Sequence, residues 1–162
     1  MKQSINILRQ TLHNSKKAAL LIALFLTIGI SYSFASGTDG ISGDIKTSFR
    51  KDFSNAQIIS SEVHKKFTKL TFTMNNVILF AFYADNGELL AVTRNILSSQ
   101  LPVNLMLNLK NKYSDYWISE LFELNGDEQN CYYVTLENAD SKLILRSTGT
   151  NTWEIYEKKA KN

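Results

Sequence analysis

One pattern occurs twice in this sequence and limits the fold more than any other feature. Ile45, Phe49 and Phe53 stand at four-residue intervals, and so do Leu101, Leu105, Leu109 and Tyr113. Apolar side chains at that spacing form one stripe of a helix. Each stripe gives way to a β-branched and aromatic texture, which suits strands. Phe53-Ser-Asn-Ala-Gln-Ile58 sets against Tyr113-Ser-Asp-Tyr-Trp-Ile118 at a constant offset of 60, which also places Ile45 and Phe49 on Leu105 and Leu109. Further on, Ala84-Asp-Asn-Gly-Glu-Leu-Leu90 sets against Asn138-Ala-Asp-Ser-Lys-Leu-Ile144 at an offset of 54.

The first helix is expected to start at Asp44 as N-cap and to end at Ser54-Asn55. Strands are expected at 58–65, 67–74, 77–84 and 88–95, with Asn75-Asn76 and Asp85-Asn86-Gly87 as turns that tolerate positive φ. The second helix starts in Ser98-Ser-Gln-Leu-Pro102, with Ser as cap and Pro in the first turn. Its strands fall at 116–124, 131–138, 142–147 and 152–158. The expected class is α+β: a tandem repeat of one helix plus a four-stranded antiparallel meander, the helices packed on one face of a continuous sheet. The repeats occupy 44–97 and 98–162 and share one core.

The N-terminus has a different character. Residues 1–35 hold Lys2, Arg9, Lys16 and Lys17, no acid, and a 13-residue apolar run from Ala18 to Ile30, followed by Ser-Tyr-Ser-Phe-Ala35. A basic start, an apolar centre and small residues at Ser33 and Ala35 make a cleavable secretory signal, cut after Ala35. The rival reading is an uncleaved anchor, which Ser31, Tyr32 and Ser33 weaken. Residues 36–43 read as a flexible lead-in. The sequence pI of 8.9 suggests an anionic partner. However, four of the 18 basic residues and none of the 15 acidic ones precede Ser36, so the remainder carries 14 against 15, a net charge of −1. The case for nucleic acid goes with the signal, and no membrane span is expected after cleavage. The expected address is periplasmic or extracellular.

No catalytic, cofactor or metal site is expected. A single Cys, Cys131, excludes an internal disulfide framework and any zinc site built from several cysteines. Nothing in the sequence pairs Cys131 with His64 as nucleophile and base. Glu120, Glu123, Asp127 and Glu128 read as a solvated turn without calcium-loop spacing. Arg50, Lys51, Lys65, Lys66 and Lys69 read as a solvated basic face.

Phe49-Arg-Lys-Asp-Phe53-Ser-Asn-Ala56 and Ala81-Phe-Tyr-Ala-Asp-Asn-Gly-Glu-Leu-Leu90 carry a resemblance. Together they resemble the β-lactamase-inhibitor-like, PepSY-like family of small exported bacterial proteins. There, a helix ending in an aromatic-x-x-x-aromatic-x-x-Ala motif is followed by antiparallel hairpins. Ser54 stands where the family often has Pro, and Ile59 or Ser60 where it has Trp. In the second half Tyr113 and Trp117 are the best anchors. The resemblance implies a non-catalytic binding module, inhibitory in the family's namesake, a tandem-repeat protein that grips an enzyme with the concave face of its sheet. The namesake's disulfides have no counterpart here, so its binding loops do not carry across.

The aromatics locate that face. In 77–84 neither alternating set is polar, and Tyr132 and Tyr133 cannot share a face, so apolar side chains should remain on the side away from the helices. Tyr83, Trp117 and Tyr133 are the expected partner-binding residues, and the partner is expected to be an envelope or secreted protein. The alternative is a small-ligand carrier or enzyme of cystatin-like form, with a pocket between helix and curved sheet.

Overall fold

The computed structural model describes residues 34–36, 40–125, 130–147 and 149–161. The expected signal segment up to Ser33, and Asp127 and Glu128 of the expected acidic turn, lie outside these residues. The elements are β1 (Phe34–Ser36), α1 (Gly43–Asp52), β2 (Gln57–Val63), β3 (Thr68–Met74), β4 (Val77–Tyr83) and β5 (Leu89–Asn95). A 3-10 turn (Ser98–Gln100), α2 (Val103–Lys112), β6 (Trp117–Asn125), β7 (Cys131–Glu137), β8 (Ser141–Ser147) and β9 (Glu154–Ala160) complete the order. The class is α+β, with antiparallel strands and two α-helices among the described residues. Strands are hydrogen-bonded in sequence order. Contacts divide the chain into two compact units, one running through Asn75 with Ala81–Ala91, the other holding Asn76–Phe80 and everything from Val92. Among the described residues no helix is long and apolar enough to cross a membrane.

In the first unit α1 buries Ile45 and Phe49, with Arg50 and Lys51 in its last turn. Phe49, Phe53 and Phe72 of β3 meet with ring centroids 4.7–5.3 Å apart. The cap is Ser42, whose Oγ accepts from the Ile45 N–H at 3.3 Å. The expected cap, Asp44, instead lies in the first turn, where its charge suits the helix N-terminus. The lead-in is partly tied down, since Ile41 is buried. The short β1 was not foreseen. It pairs Phe34, Ala35 and Ser36 with Glu62, Ser61 and Ser60, so the bond at which cleavage is expected lies within a strand.

Two of the hairpin turns carry positive φ. Asn75 and Asn76 have φ of 52° and 64°, the two-residue hairpin geometry that the Asn pair predicted. Gly87 has φ of 79°, and a Cβ there would stand 2.9 Å from Ser48 Oγ and 3.0 Å from the Asp44 carbonyl oxygen. The β4–β5 turn therefore packs on α1 at a place only glycine fits.

In the second unit α2 buries Leu105 and Leu109. They join Leu101, Leu121, Val134, Leu136, Leu143 and Leu145 in one core, with Tyr113, Tyr116, Tyr132 and Trp153 packed around it. The Trp153 indole N–H donates to the Leu105 carbonyl at 3.0 Å, tying the start of the last strand region to the helix. Pro102, expected inside the first turn, is the N-cap, while Ser98 begins the separate 3-10 turn.

Three backbone features match at the offset of 60. Both helices are ten residues long, from Gly43 and from Val103. Phe53 and Tyr113 close them alike, donating their backbone N–H to Phe49 and Leu109. The strand that follows each helix, β2 and β6, has its bulge at the same step, Ile58/Ser60 and Ile118/Glu120. The offset of 54 does not survive. It matched the turn after β4 to the turn after β7, whereas in strand order the counterpart of the Asn138–Ser141 turn is Asn75-Asn76.

Candidate functional site

The three residues expected on the open sheet face meet different fates. Tyr83 is fully buried, and its hydroxyl donates to Asp52 Oδ2 of α1 at 2.9 Å. It therefore lies on the helix side, which corrects the expectation. Burial, and then the acceptor Asp52, push its pKa up. Alternation had shown that Tyr83 and Phe82 face opposite ways, but not which one faces α1.

Tyr133 does face away from α2, since its neighbours Val134 and Tyr132 pack with the helix-side core. It is nevertheless only 3% exposed. Phe122 stacks on it at 5.1 Å and 9°, Tyr156 meets it edge-on at 6.4 Å, and the Arg146 guanidinium lies 5.9 Å from its ring centre. Tyr133 is thus the floor of that face and not its contact surface, a second correction. Burial pushes its hydroxyl up to about 12, against the pull of Arg146. The Tyr133 hydroxyl and Arg146 Nε are buried without a hydrogen-bond partner among the described residues.

Trp117 fits the expectation in exposure. It is 54% exposed and lies across from Glu137, which in turn pairs with Lys142. Lys161 Nζ sits 5.0 Å from the indole centre and 2.8 Å from Glu137 Oε2. Those bonds hold the Glu137 carboxyl down at about 2, Lys161 contributing most. Tyr156 is the second exposed aromatic ring among the described residues of this unit, at 39%. Trp117 is thus an exposed ring flanked by fixed charges, a combination common in protein interfaces.

The other singled-out groups have structural roles. His64 stacks on Phe67 at 4.2 Å and lies 3.7 Å from Glu62. Burial lowers its pKa in spite of Glu62. Cys131 is a half-buried free thiol at the start of β7. Glu123, expected in a solvated turn, is buried and held by Arg94 and Asn130, while Glu120 accepts from the Thr135 hydroxyl at 3.2 Å. Lys69 of the basic patch is bonded to Glu62 at 2.8 Å. Among the described residues no group of three or more His, Cys, Asp or Glu side chains is placed to hold a metal.

The exposed apolar stripe of α2 was not foreseen, whereas the groove beside it lies between helix and sheet, where the alternative reading expects a pocket. Val103, Met106 and Leu107 of α2 are exposed, as are Leu97 and Ile118. A groove of about 600 Å3 opens beside the helix, floored by Leu109 and Leu136 and walled by Met106, Tyr113, Tyr116 and Ile118. The signal was present in the sequence. Val103, Met106, Leu107 and Lys110 stand at i, i+3, i+4 and i+7, a second stripe beside the buried one.

No family model and no curated protein matches the sequence. Solved structures do resemble it. A DUF2874 family protein from Bacteroides ovatus superposes with a TM-score of 0.63 at 12% identity, over 75% of this chain and 89% of that one. A candidate periplasmic protein from Bacteroides eggerthii gives 0.61 at 13%, over 74% and 88%. A BLIP-like protein from Bacteroides fragilis gives 0.59 at 15%, over 74% and 85%. At these identities the likeness is one of fold, and that fold is BLIP-like.

Proposed function

We propose that this chain is an exported, non-catalytic binding module that engages a protein partner through the sheet face away from α2 in its second unit. The observation that carries the reading is Trp117, half exposed on that face beside the Lys161–Glu137–Lys142 charges. Indole rings so placed are frequent interface anchors, and the paired charges keep the rim hydrated when no partner is bound. Further along the same face the buried stack Phe122–Tyr133–Arg146 is packed in place, and a face that is already ordered lowers the entropic cost of binding. Export rests on the basic and apolar N-terminus, and the candidate periplasmic relative in fold agrees with it. The coincident helix ends and bulges support two copies of one helix-plus-meander unit, and with them a PepSY-like ancestry.

The test is affinity capture from an envelope fraction with the wild type, Trp117→Ala/Tyr156→Ala, and Thr47→Ala as a control on α1. A specific partner held by the wild type and the control, and lost from the double variant, is expected. Equal recovery by all three removes the case for this face.

A further inference from the structure

We infer that the groove beside α2 is a binding site for a single-chain amphiphile with one anionic head, of the long-chain carboxylate type. The site lies on the helix side of the second unit, so it is separate from the proposed protein-binding face and does not depend on it. Its volume of about 600 Å3 falls within the range of small-molecule sites, about 300–1,000 Å3. The floor, Leu109 and Leu136, belongs to the buried core, and the apolar surface open to a ligand is that of the exposed walls Met106 and Ile118. Such a trough suits a narrow flexible chain better than a broad protein surface.

The head group follows from charge. Of the groove's lining residues Lys110 alone is charged, and among the described residues it forms no ion pair. The remaining polar lining is hydroxyl: Ser98, Ser114, Tyr113 and Tyr116, the last already 3.0 Å from Ser141 Oγ. One cation at the rim of an apolar trough matches one anion at the end of an apolar chain. The carbonyl end of α2 lies close by and opposes an anion weakly. Chain burial therefore supplies most of the affinity, and Lys110 sets the preference among heads.

Dodecanoate below its micellar concentration is the probe, followed through the Met106 methyl resonance and by calorimetry. Saturable one-to-one binding is expected, with affinity rising about two- to fourfold per methylene from octanoate through decanoate. Dodecyltrimethylammonium, with the same chain and the opposite charge, should bind about two- to fivefold more weakly. Lys110→Glu should reverse that order, and Met106→Asp should abolish both while leaving the fold intact, since both positions are on the surface. No response at Met106, or equal binding by Met106→Asp, overturns the site. An unchanged order of heads in Lys110→Glu overturns the anionic assignment.

Discussion

The two helices share an inner face and differ in their outer one. At the offset of 60, Ile45, Phe49 and Phe53 correspond to Leu105, Leu109 and Tyr113, and both sets turn toward the sheet. Outside, Gly43, Lys46, Thr47 and Arg50 of α1 correspond to Val103, Met106, Leu107 and Lys110 of α2. The α1 set is what water requires of a surface helix. The α2 set also ends in a cation, Lys110 for Arg50, but has apolar Val103, Met106 and Leu107 before it. Burial fixes the shared face, so it says nothing about function. The unshared face carries an exposure penalty that folding does not need, and such patches mark binding sites.

The largest effects should fall on the shared face. Ile45→Ala and Leu105→Ala, both at fully buried positions, should each cost about 2–5 kcal/mol in urea unfolding. A cost below about 1 kcal/mol at either would break the equivalence of the stripes. The two buried tyrosines come next. Tyr83→Phe loses a bond to a carboxylate and should cost about 1.5–3 kcal/mol. Tyr133→Phe removes a hydroxyl without a partner among the described residues and should lie within about 0.5 kcal/mol of the wild type. Equal costs would contradict the bond from the Tyr83 hydroxyl to Asp52.

Acid should act on the units in different pH windows. His64 has a lowered pKa in the fold, so the unfolded chain binds its proton first. Stability from this group falls as pH drops below about 6.5, and His64→Gln should flatten that part of the profile. Glu137, held near 2 against an ordinary 4.5, contributes stability above 4.5 that is lost as pH falls toward 2. Lys161→Ala should shrink that second limb and leave the first unchanged. The smallest stability effect should come from giving α2 the residues of α1. Met106→Lys/Leu107→Thr should shift stability by no more than about 0.5 kcal/mol yet abolish dodecanoate binding. A large destabilisation would show that the outer stripe is structural.

Much of the fold was legible because two periods, 3.6 and 2, are written into the apolar residues. The helices, their offset and the Asn75-Asn76 hairpin follow from residue spacing and turn chemistry. The facing of β4 did not, because Ala81, Phe82 and Tyr83 are all buried and an apolar strand carries no sign. Only the pairing of Tyr83 with Asp52 settles it. Tyr133 shows a second limit: alternation placed it on the side away from α2, but Phe122 and Arg146 of the flanking strands and Tyr156 of β9 cover it, and alternation alone carries no register between strands. Glu123 shows a third, since its partner Arg94 lies 29 residues away. Trp117 stayed exposed because it opens β6, where the sheet ends.

The proposed partner face is tested most directly by a photoreactive benzoyl-phenylalanine placed at residue 117 and, separately, at residue 47 on α1, irradiated in living cells. A discrete cross-linked species from residue 117 and none from residue 47 is the predicted result. Equal yields from the two positions, or none from residue 117, would contradict a partner surface centred on Trp117.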